Sequence, residues 1–327
     1  MTVYSRRVVT GLAVLTVVAG ASLSAFRQEV TLRYRWNTGD TVRYRMTQQS
    51  TSTLSGLPGG MGDITIEQTT AQVYRVAAKD VAADGTTTLD QVIESVKMEM
   101  DAPPMGRMSF DSANPTAARA SPMDDMLKKV LAPLAGAQFT LTLTPTGQVQ
   151  KVEGISAAME KMFATLPQDP QIQGMMSGLK ANLSDEGIKG MFAQGYAQLP
   201  QQPLKPGDTW KANFTVPNPA IGAMTTAIVA TLQGIEGSGA NQVAKIATKL
   251  TISQEEGAKG QMPMGMSAKL GTATGEGEVL FDVAKGQARK GITRLTMPLT
   301  ISGSAPDGTV MNMQSLVKTT LTMEIMP

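Results

Sequence analysis

Alternation of threonine with apolar residues is the feature that most limits what this chain can fold into. The stretch Thr140-Leu141-Thr142-Leu143-Thr144 is the clearest example. A period of two places the leucines on one face and the hydroxyls on the other, which is typical of a β-strand with one wet face. The same pattern recurs along most of the chain. We therefore predict a fold made largely of antiparallel strands.

The predicted strands are separated by turns rich in Gly, Asn, Asp and Pro. They cover 64–78, 86–100, 139–144, 148–152, 210–216, 227–234, 243–253, 268–283, 288–303 and 310–325. A hairpin is predicted before them, in which a first strand runs to Trp36 and a turn at 37–40 leads into a second strand through Val42, Tyr44 and Met46. The first strand would place four residues on its apolar face: Val30, Leu32, Tyr34 and Trp36.

Helical spacing replaces alternation in two places. A short helix is expected after Ser121, a plausible N-cap, with Pro122 at its first position. A compact helical insert is expected at 155–200, where apolar residues recur every three or four positions. Its three stripes are the candidate ligand-binding residues: Met159, Met162, Phe163, Met175, Met176, Leu179, Met191, Phe192 and Tyr196.

The absence of cysteine and histidine excludes whole classes of chemistry. The 327 residues include no Cys and no His. Disulfides, thiolate metal sites and cysteine nucleophiles are therefore excluded, as are Ser-His-Asp triads and the usual zinc sites. No cofactor is predicted. Removal of Arg6 and Arg7 would leave equal numbers of basic and acidic residues, since the full chain has 29 Lys and Arg against 27 Asp and Glu. Such a balance argues against a nucleic-acid partner.

The first 25 residues have the layout of a secretory signal. Arg6 and Arg7 precede an apolar run at 8–20, and small residues follow at 21–25. This order predicts a signal peptide at 1–25, cleaved between Ser22 and Phe26, and a periplasmic or secreted protein. The paired arginines also allow a twin-arginine route, and an uncleaved anchor is the alternative to cleavage.

Two turn patterns recur in the same order along the chain. Gly39-Asp40 returns as Gly207-Asp208, and the Gly147-Gln148 hairpin returns as Gly286-Gln287. Preserved order favours an internal duplication over chance recurrence of two common turns. The predicted organisation is a signal peptide at 1–25, a first β-rich half at 26–154, a Met-rich helical insert at 155–200 and a second β-rich half at 201–327.

These residues resemble a known group of proteins. The exported start, the strands that follow Gly-Asp turns, the Gly277–Gly286 hairpin and the closing Thr-rich strand are similar to a family of uncharacterised exported bacterial envelope proteins with a domain of unknown function. Many members carry a lipid-anchoring Cys, which this chain lacks. The resemblance implies no activity and supplies no catalytic residues.

One short motif suggests metal binding. Met262, Met264 and Met266 alternate along a Pro- and Gly-containing stretch. Spaced thioethers bind Cu(I), a soft ion that exported proteins can meet. Methionine is also a general gap-filler in cores, and the chain has 23 of them. Packing therefore remains the alternative for this motif.

No catalytic residues are predicted, and the chain is not expected to be an enzyme. The sequence predicts an α+β fold: a large curved antiparallel β-sheet from two related halves, with the helical insert packed on it. We expect a non-enzymatic envelope protein that binds an apolar, lipid-like ligand or an envelope protein partner between sheet and helices. The alternatives are a structural or interaction module with a closed core, a Cu(I)-binding periplasmic protein and a hydrolase that uses carboxylates. That expected geometry is similar in architecture alone to bacterial carriers of lipids and lipoproteins.

Overall fold

A computed structural model describes most of the chain after its first 28 residues. The described residues are 29–57, 62–103, 106–114, 122–154, 189–190, 192, 195–196, 198–218, 221–255, 266–304 and 310–327. The predicted signal peptide, most of the helical insert and the residues Met262 and Met264 lie outside them.

Thirteen strands and one α-helix are bounded in this part of the chain. The first group is β1 (Thr41–Ser55), β2 (Ile64–Val81), β3 (Thr87–Ala102), β4 (Gly106–Asp111), α1 (Pro122–Leu131), β5 (Gln138–Leu143) and β6 (Val149–Glu153). The second group is β7 (Thr209–Asn218), β8 (Gly222–Glu236), β9 (Val243–Gln254), β10 (Ser267–Leu270), β11 (Ala273–Asp282), β12 (Gln287–Ser304) and β13 (Val310–Ile325).

All thirteen strands belong to one antiparallel sheet that is not closed. The order along it is β6-β5-β3-β2-β1-β13-β12-β11-β9-β8-β7, and β4 and β10 pair at the side with β3 and β12. The predicted antiparallel sheet is confirmed, with strand limits close to those expected. The described part is mostly β, because α1 is the single short α-helix bounded within it. The α+β description, which depended on the insert, stays a prediction.

The sheet curves strongly around one core. Laid flat, its eleven-strand path would be roughly 50 Å wide at about 4.8 Å per strand. Yet Leu141 and Val149, near one edge, share a single buried cluster with Ala230 and Leu232, near the other. In addition, Leu199, shortly before β7, donates its amide to the carbonyl of Thr146, between β5 and β6, at 2.8 Å. A flat sheet would hold these two places far apart, so the sheet wraps around the core.

An extended segment at 29–36 crosses the end of this core. Leu32 is fully buried, and Val30, Tyr34 and Trp36 are nearly so. The predicted one-sided burial is confirmed, but the predicted hairpin with β1 is wrong. The segment makes backbone hydrogen bonds to three separate places instead, and β1 pairs with β2 and β13. These bonds are Val30 N to Leu204 O at 2.8 Å, Tyr34 N to Pro145 O at 2.8 Å and Arg35 N to Gly286 O at 3.2 Å.

The two Gly-Asp turns have the same geometry. Asp40 Oδ2 accepts a bond from Asn37 N, and Asp208 Oδ2 accepts one from Lys205 N, both at 2.7 Å. The glycine amides then donate to the neighbouring strand, from Gly39 to Ala78 at 2.8 Å and from Gly207 to Leu232 at 2.7 Å. Each turn leads directly into a strand, β1 or β7.

The strand order that follows these turns is also repeated. β1-β2-β3-β5-β6 are neighbours in that order, and β7-β8-β9-β11-β12 are neighbours in the same order. Register shifts fall at matching points, after Ala78 and after Leu232. They recur after Thr142 in the β5–β6 pair and after Leu280 in the β11–β12 pair. These are local equivalences; the two related halves stay a prediction.

Two departures from the expected elements have local causes. The strand predicted at 268–283 is split into β10 and β11, which both pair with β12. The break lies at Gly271, whose amide donates to the carbonyl of Pro298 at 2.8 Å. Pro298 has no N–H to return, so the ladder is interrupted there. The predicted short helix is confirmed as α1, and its Leu127, Val130 and Leu131 pack with Val96 and Phe110.

Among the residues that the structure describes, no helix combines the length and the apolar character that a membrane crossing needs.

We expect Gly286→Ala to be strongly destabilising. Gly286 has φ of +63°, and a Cβ there would collide with Arg35 N and lie 2.5 Å from Arg33 O. Backbone atoms cannot yield as a flexible side chain can, so the crossing segment would have to move. We expect a loss of about 3 kcal/mol or more in the free energy of unfolding, measured by urea denaturation.

The matched control is Gly207→Ala. Gly207 also has a positive φ, +96°, but no atom lies within 4 Å of its virtual Cβ. Gly207→Ala should lose only about 1 kcal/mol in the free energy of unfolding, which is the cost of placing alanine in this backbone conformation. Equal losses at the two sites would show that the crossing segment does not hold the sheet as described.

Candidate apolar binding site

A cavity of about 470 Å³ lies on the inner face of the curved sheet, next to the crossing segment. Its volume falls within the range of roughly 300–1,000 Å³ that is usual for small-molecule sites. Strands β1, β2, β3, β5, β12 and β13 and the segments before β1, β5 and β7 contribute to it. The lining residues are Tyr34, Trp36, Tyr44, Met46, Gln72, Tyr74, Gln91, Ile93, Leu134, Ala137, Phe139, Phe192, Gly195, Tyr196, Ala288 and Met323.

Scarce aromatic residues are concentrated here. The whole chain has 7 Phe, 5 Tyr and 2 Trp. Seven of these line the cavity: Tyr34, Trp36, Tyr44, Tyr74, Phe139, Phe192 and Tyr196. Half of the chain's aromatic residues therefore line one cavity, which provides large, rigid apolar surfaces for a ligand.

The rings hold one another in place. Tyr44 and Tyr74 are directly opposite on β1 and β2 and stack with their centroids 5.5 Å apart. Tyr34 meets Tyr196 edge to face at 5.6 Å. On the other side Phe139 meets Phe192 at 4.8 Å. Contacts of this kind fix ring orientations, so much of the lining is preformed.

Three tyrosine hydroxyls of the cavity residues, those of Tyr44, Tyr74 and Tyr196, stay neutral over a wide pH range. Burial raises the pKa of Tyr74 to about 12. Burial, followed by the proximity of Tyr74 and Tyr34, raises the pKa of Tyr44 even further. The pKa of Tyr196 is likewise raised, chiefly by burial. These groups therefore serve as neutral hydrogen-bonding groups.

Charged side chains lie on the opposite face of the same strands. Arg43 and Arg75, which flank Tyr44 and Tyr74, form ion pairs with Glu94 at 2.8 and 3.7 Å. Neighbouring residues of a strand point to opposite faces, so these charges are directed away from the cavity. No Asp, Glu, Lys or Arg is among the described residues that line it.

Two of the nine predicted ligand-binding residues can be placed, and both line the cavity. These are Phe192 and Tyr196, at the end of the predicted insert. The other seven lie outside the described residues, and their role stays a prediction: Met159, Met162, Phe163, Met175, Met176, Leu179 and Met191. Phe192 and Tyr196 thus lie at a cavity, and ligand binding by them stays a prediction.

Four cavity residues that were not predicted as ligand-binding residues have a recognisable sequence pattern. Tyr34, Trp36, Tyr44 and Tyr74 all occupy apolar positions of alternating stretches. What alternation cannot provide is the register of β1 against β2, which brings Tyr44 beside Tyr74. The apolar faces could be read from the sequence, but the meeting of the rings could not.

Of the predicted copper site, only Met266 is among the described residues. Met266 lies beside Gly303 of β12, whose virtual Cβ would be 2.8 Å from Met266 Cγ. Met262 and Met264 fall outside the described residues. Among the residues that the structure does describe, no group of three or more Asp or Glu could hold a metal ion.

The aspartates at turns have structural partners. Asp84 accepts bonds from the backbone and hydroxyl of Thr86. Asp282 is buried and accepts two bonds from Arg289, at 3.0 and 2.6 Å, and one from Lys285 N at 2.9 Å. Burial acts to raise the pKa of Asp282, but these donors outweigh it and lower the pKa. Each carboxylate thus fixes a turn.

Comparison with protein families places the chain in a group. Residues 84–287 match the Family of unknown function (DUF6263), and this range is more than half of the chain. The chain belongs to this family. The predicted resemblance to proteins with a domain of unknown function is therefore confirmed at that level, whereas export and the envelope are not part of what the match shows. No curated protein matches the sequence.

Solved structures give distant likenesses only. Lipovitellin, from a structure of lipid-protein interactions, is 11% identical with a TM-score of 0.42; the match covers 90% of this chain and 26% of lipovitellin. This chain therefore spans about a quarter of that protein. A Bacteroides fragilis protein assigned as exported, with a YmcC-like fold, is 9% identical with a TM-score of 0.23 and coverages of 88% and 97%. An outer membrane channel from Pseudomonas putida F1 is 9% identical with a TM-score of 0.23 and coverages of 90% and 97%. Scores this low carry no functional argument.

The two tryptophans of this DUF6263 protein should respond differently to replacement by phenylalanine. Trp36 Nε1 is buried without a hydrogen-bond partner among the described residues, whereas Trp210 Nε1 donates to Gln198 O at 2.7 Å. Trp36→Phe removes an unpaired donor, which offsets part of its packing loss. We expect Trp210→Phe to lose about 1 kcal/mol more free energy of unfolding than Trp36→Phe, because it leaves a carbonyl unpaired. A larger loss at Trp36 would contradict this prediction and would mean that packing of the more deeply buried ring outweighs the hydrogen bond lost at Trp210.

High pH should destabilise the fold through the cavity tyrosines. The pKa values of Tyr44, Tyr74 and Tyr196 are raised in the folded state, to about 12 for Tyr74, against an ordinary value of 10.0. The unfolded chain therefore loses its phenolic protons first as the pH rises. The contribution of these tyrosines to the free energy of unfolding is fully present below pH 10. It is lost as the pH rises from there through their folded-state pKa values. Denaturation midpoints from pH 8 to 11.5, with phenolate absorbance followed in parallel, provide the measurement. A midpoint that stays flat above pH 10, with early phenolate absorbance, would contradict the burial of these hydroxyls.

Proposed function

We propose that this protein is a non-enzymatic binding protein of the bacterial envelope that holds an apolar, lipid-like small molecule in the aromatic cavity. The observation that carries the proposal is the concentration of seven aromatic side chains around 470 Å³ of space with no charge in the described lining. Protein interiors normally pack to crystal-like density with few voids larger than a water molecule. A space of this size lined by rigid rings favours an occupant over a closed core.

The energetics support an apolar occupant. Burying apolar surface stabilises a complex by roughly 25 cal/mol per Å², and aromatic faces supply much of that area. Met46 and Met323, cross-strand neighbours on β1 and β13, add unbranched, polarisable side chains beside the rings. Such side chains can adapt to ligands of different outline.

The cellular location is part of the proposal. It is supported by the charged start, apolar run and small residues of 1–25, which have the order of a signal peptide. We propose a periplasmic or secreted protein. The insert at 155–200 would cover the ligand, which agrees with the position of Phe192 and Tyr196 at the cavity. Two related halves, at 26–154 and 201–327, would then form the two sides of the sheet.

An alternative function stays open at the methionine motif. The motif for Cu(I) binding is Met262, Met264 and Met266, of which Met266 alone is among the described residues, and Met266 is not among the described residues that line the aromatic cavity. The two functions can therefore be tested separately.

Filling the cavity is the direct test of the proposed function. Ala288 lines the cavity, whereas Ala284, in the preceding turn, is exposed. Ala288→Leu should occupy part of the space and weaken binding of the neutral dye N-phenyl-1-naphthylamine by about tenfold or more, or 1.4 kcal/mol. Ala284→Leu should leave binding unchanged. Fluorescence titration of purified protein provides the measurement.

The opposite results identify the alternative. If the unaltered protein does not bind the dye, and native mass spectrometry finds no co-purified apolar molecule, the protein is better described as a structural or interaction module. If Ala288→Leu and Ala284→Leu bind equally well, the dye occupies another surface and the cavity is not the site.

A further inference from the structure

We infer that the aromatic cavity selects uncharged apolar molecules of about 15 non-hydrogen atoms and rejects anions of the same shape. The inference rests on the proposed function and adds the chemical class of the ligand. Three observations carry it: the volume, the placement of charge, and the kind of polar group in the lining.

The volume sets the size. A water molecule occupies about 30 Å³ of liquid, and a methylene group fills a similar space. A cavity of 470 Å³ therefore accepts about 15 such groups. One acyl-chain-sized or two-ring molecule fits this space, whereas a lipid with two long chains would have to leave most of its body outside.

The placement of charge sets the polarity. Tyr44 and Tyr74 face the cavity, and their neighbours Arg43 and Arg75 are on the other side of the sheet with Glu94. An anionic ligand would therefore lose its hydration without gaining a cationic partner from the described lining. An unpaired ion in such a site costs several kcal/mol, far more than an apolar group of equal size.

The polar groups of the lining suit a neutral ligand. The polar side chains among the described lining residues are those of the tyrosines and of Gln72 and Gln91, whereas the indole nitrogen of Trp36 is buried. Gln91 is 9% exposed, so its amide is largely removed from water. Hydroxyls and amides can hydrogen bond to one carbonyl, hydroxyl or amine without a charge on either side. A neutral molecule with one such group therefore matches the site.

A pair of dyes with a common body separates charge from shape. N-phenyl-1-naphthylamine is neutral, and 8-anilino-1-naphthalenesulfonate is the same ring system with a sulfonate added. Titration of each dye at pH 7.5 should give at least about tenfold tighter binding of the neutral one. The loss of affinity caused by Ala288→Leu is measured for both dyes, because only the binding that this substitution weakens is assigned to the cavity.

A charge introduced into the lining should reverse the preference. Gln72 lines the cavity and is partly exposed, so a lysine there can be accommodated. Gln72→Lys should tighten binding of the sulfonate dye and weaken that of the neutral dye. Gln72→Met keeps the size without the charge and should retain the original preference. Gln91→Lys provides a second position if Gln72→Lys does not fold.

The outcomes distinguish this inference from the proposed function. If both dyes bind equally in the cavity, or the sulfonate dye binds more tightly, the selectivity is wrong while the proposed function stands. If neither dye binds, both fail. If the lysine variants fold but leave the preference unchanged, charge in the lining does not determine selection and the inference is overturned.

Discussion

The insertion of the segment 29–36 across the end of the sheet is the contact on which the rest of the structure depends. Its side chains Leu32, Tyr34 and Trp36 belong to the central core, and its backbone bonds to Leu204 and Pro145 connect parts of the chain near the two sheet edges. Without these bonds an antiparallel sheet of this width could open and lose the shared core. Arg33 strengthens this connection, since its guanidinium donates hydrogen bonds to the carbonyls of Pro200 and Gln201. The curvature, and with it the cavity, follows from this insertion.

Local features of the fold were predictable because they depend on neighbouring residues. The alternation of Thr and apolar residues defined strands such as β9 and β13 closely, and Pro122 with its acidic first turn defined α1. The Gly-Asp turns could also be predicted. Glycine is favoured where the backbone needs a positive φ, and aspartate is favoured where a side-chain carboxylate accepts a hydrogen bond from a nearby backbone amide. Each of these signals is complete within a few residues.

Features that depend on distant partners could not be predicted. The segment through Trp36 alternates as a strand would, yet its backbone bonds go to three places instead of one ladder. Nothing in the local sequence distinguishes these cases, because burial on one side produces the same alternation in both. The arrangement of the candidate site also depends on contacts between residues that are distant in sequence. Tyr34 and Tyr196 are far apart in sequence, and only the wrapping of the sheet brings their rings to 5.6 Å.

The pairing of β1 with β13 at the centre of the sheet has a consequence for the order of assembly. Tyr44 is opposite Ile325, and Met326 N donates to Arg43 O at 2.8 Å, so the middle of the sheet joins the earliest and latest strands. The two sides of the sheet cannot meet until the last strand is available. Contacts of such long sequence separation fold slowly, because loop-closure entropy must be overcome before they form. A chain emerging gradually from a ribosome or a pore would thus keep one edge of β1 and one edge of β12 unpaired until β13 has emerged, with those edges exposed to premature association.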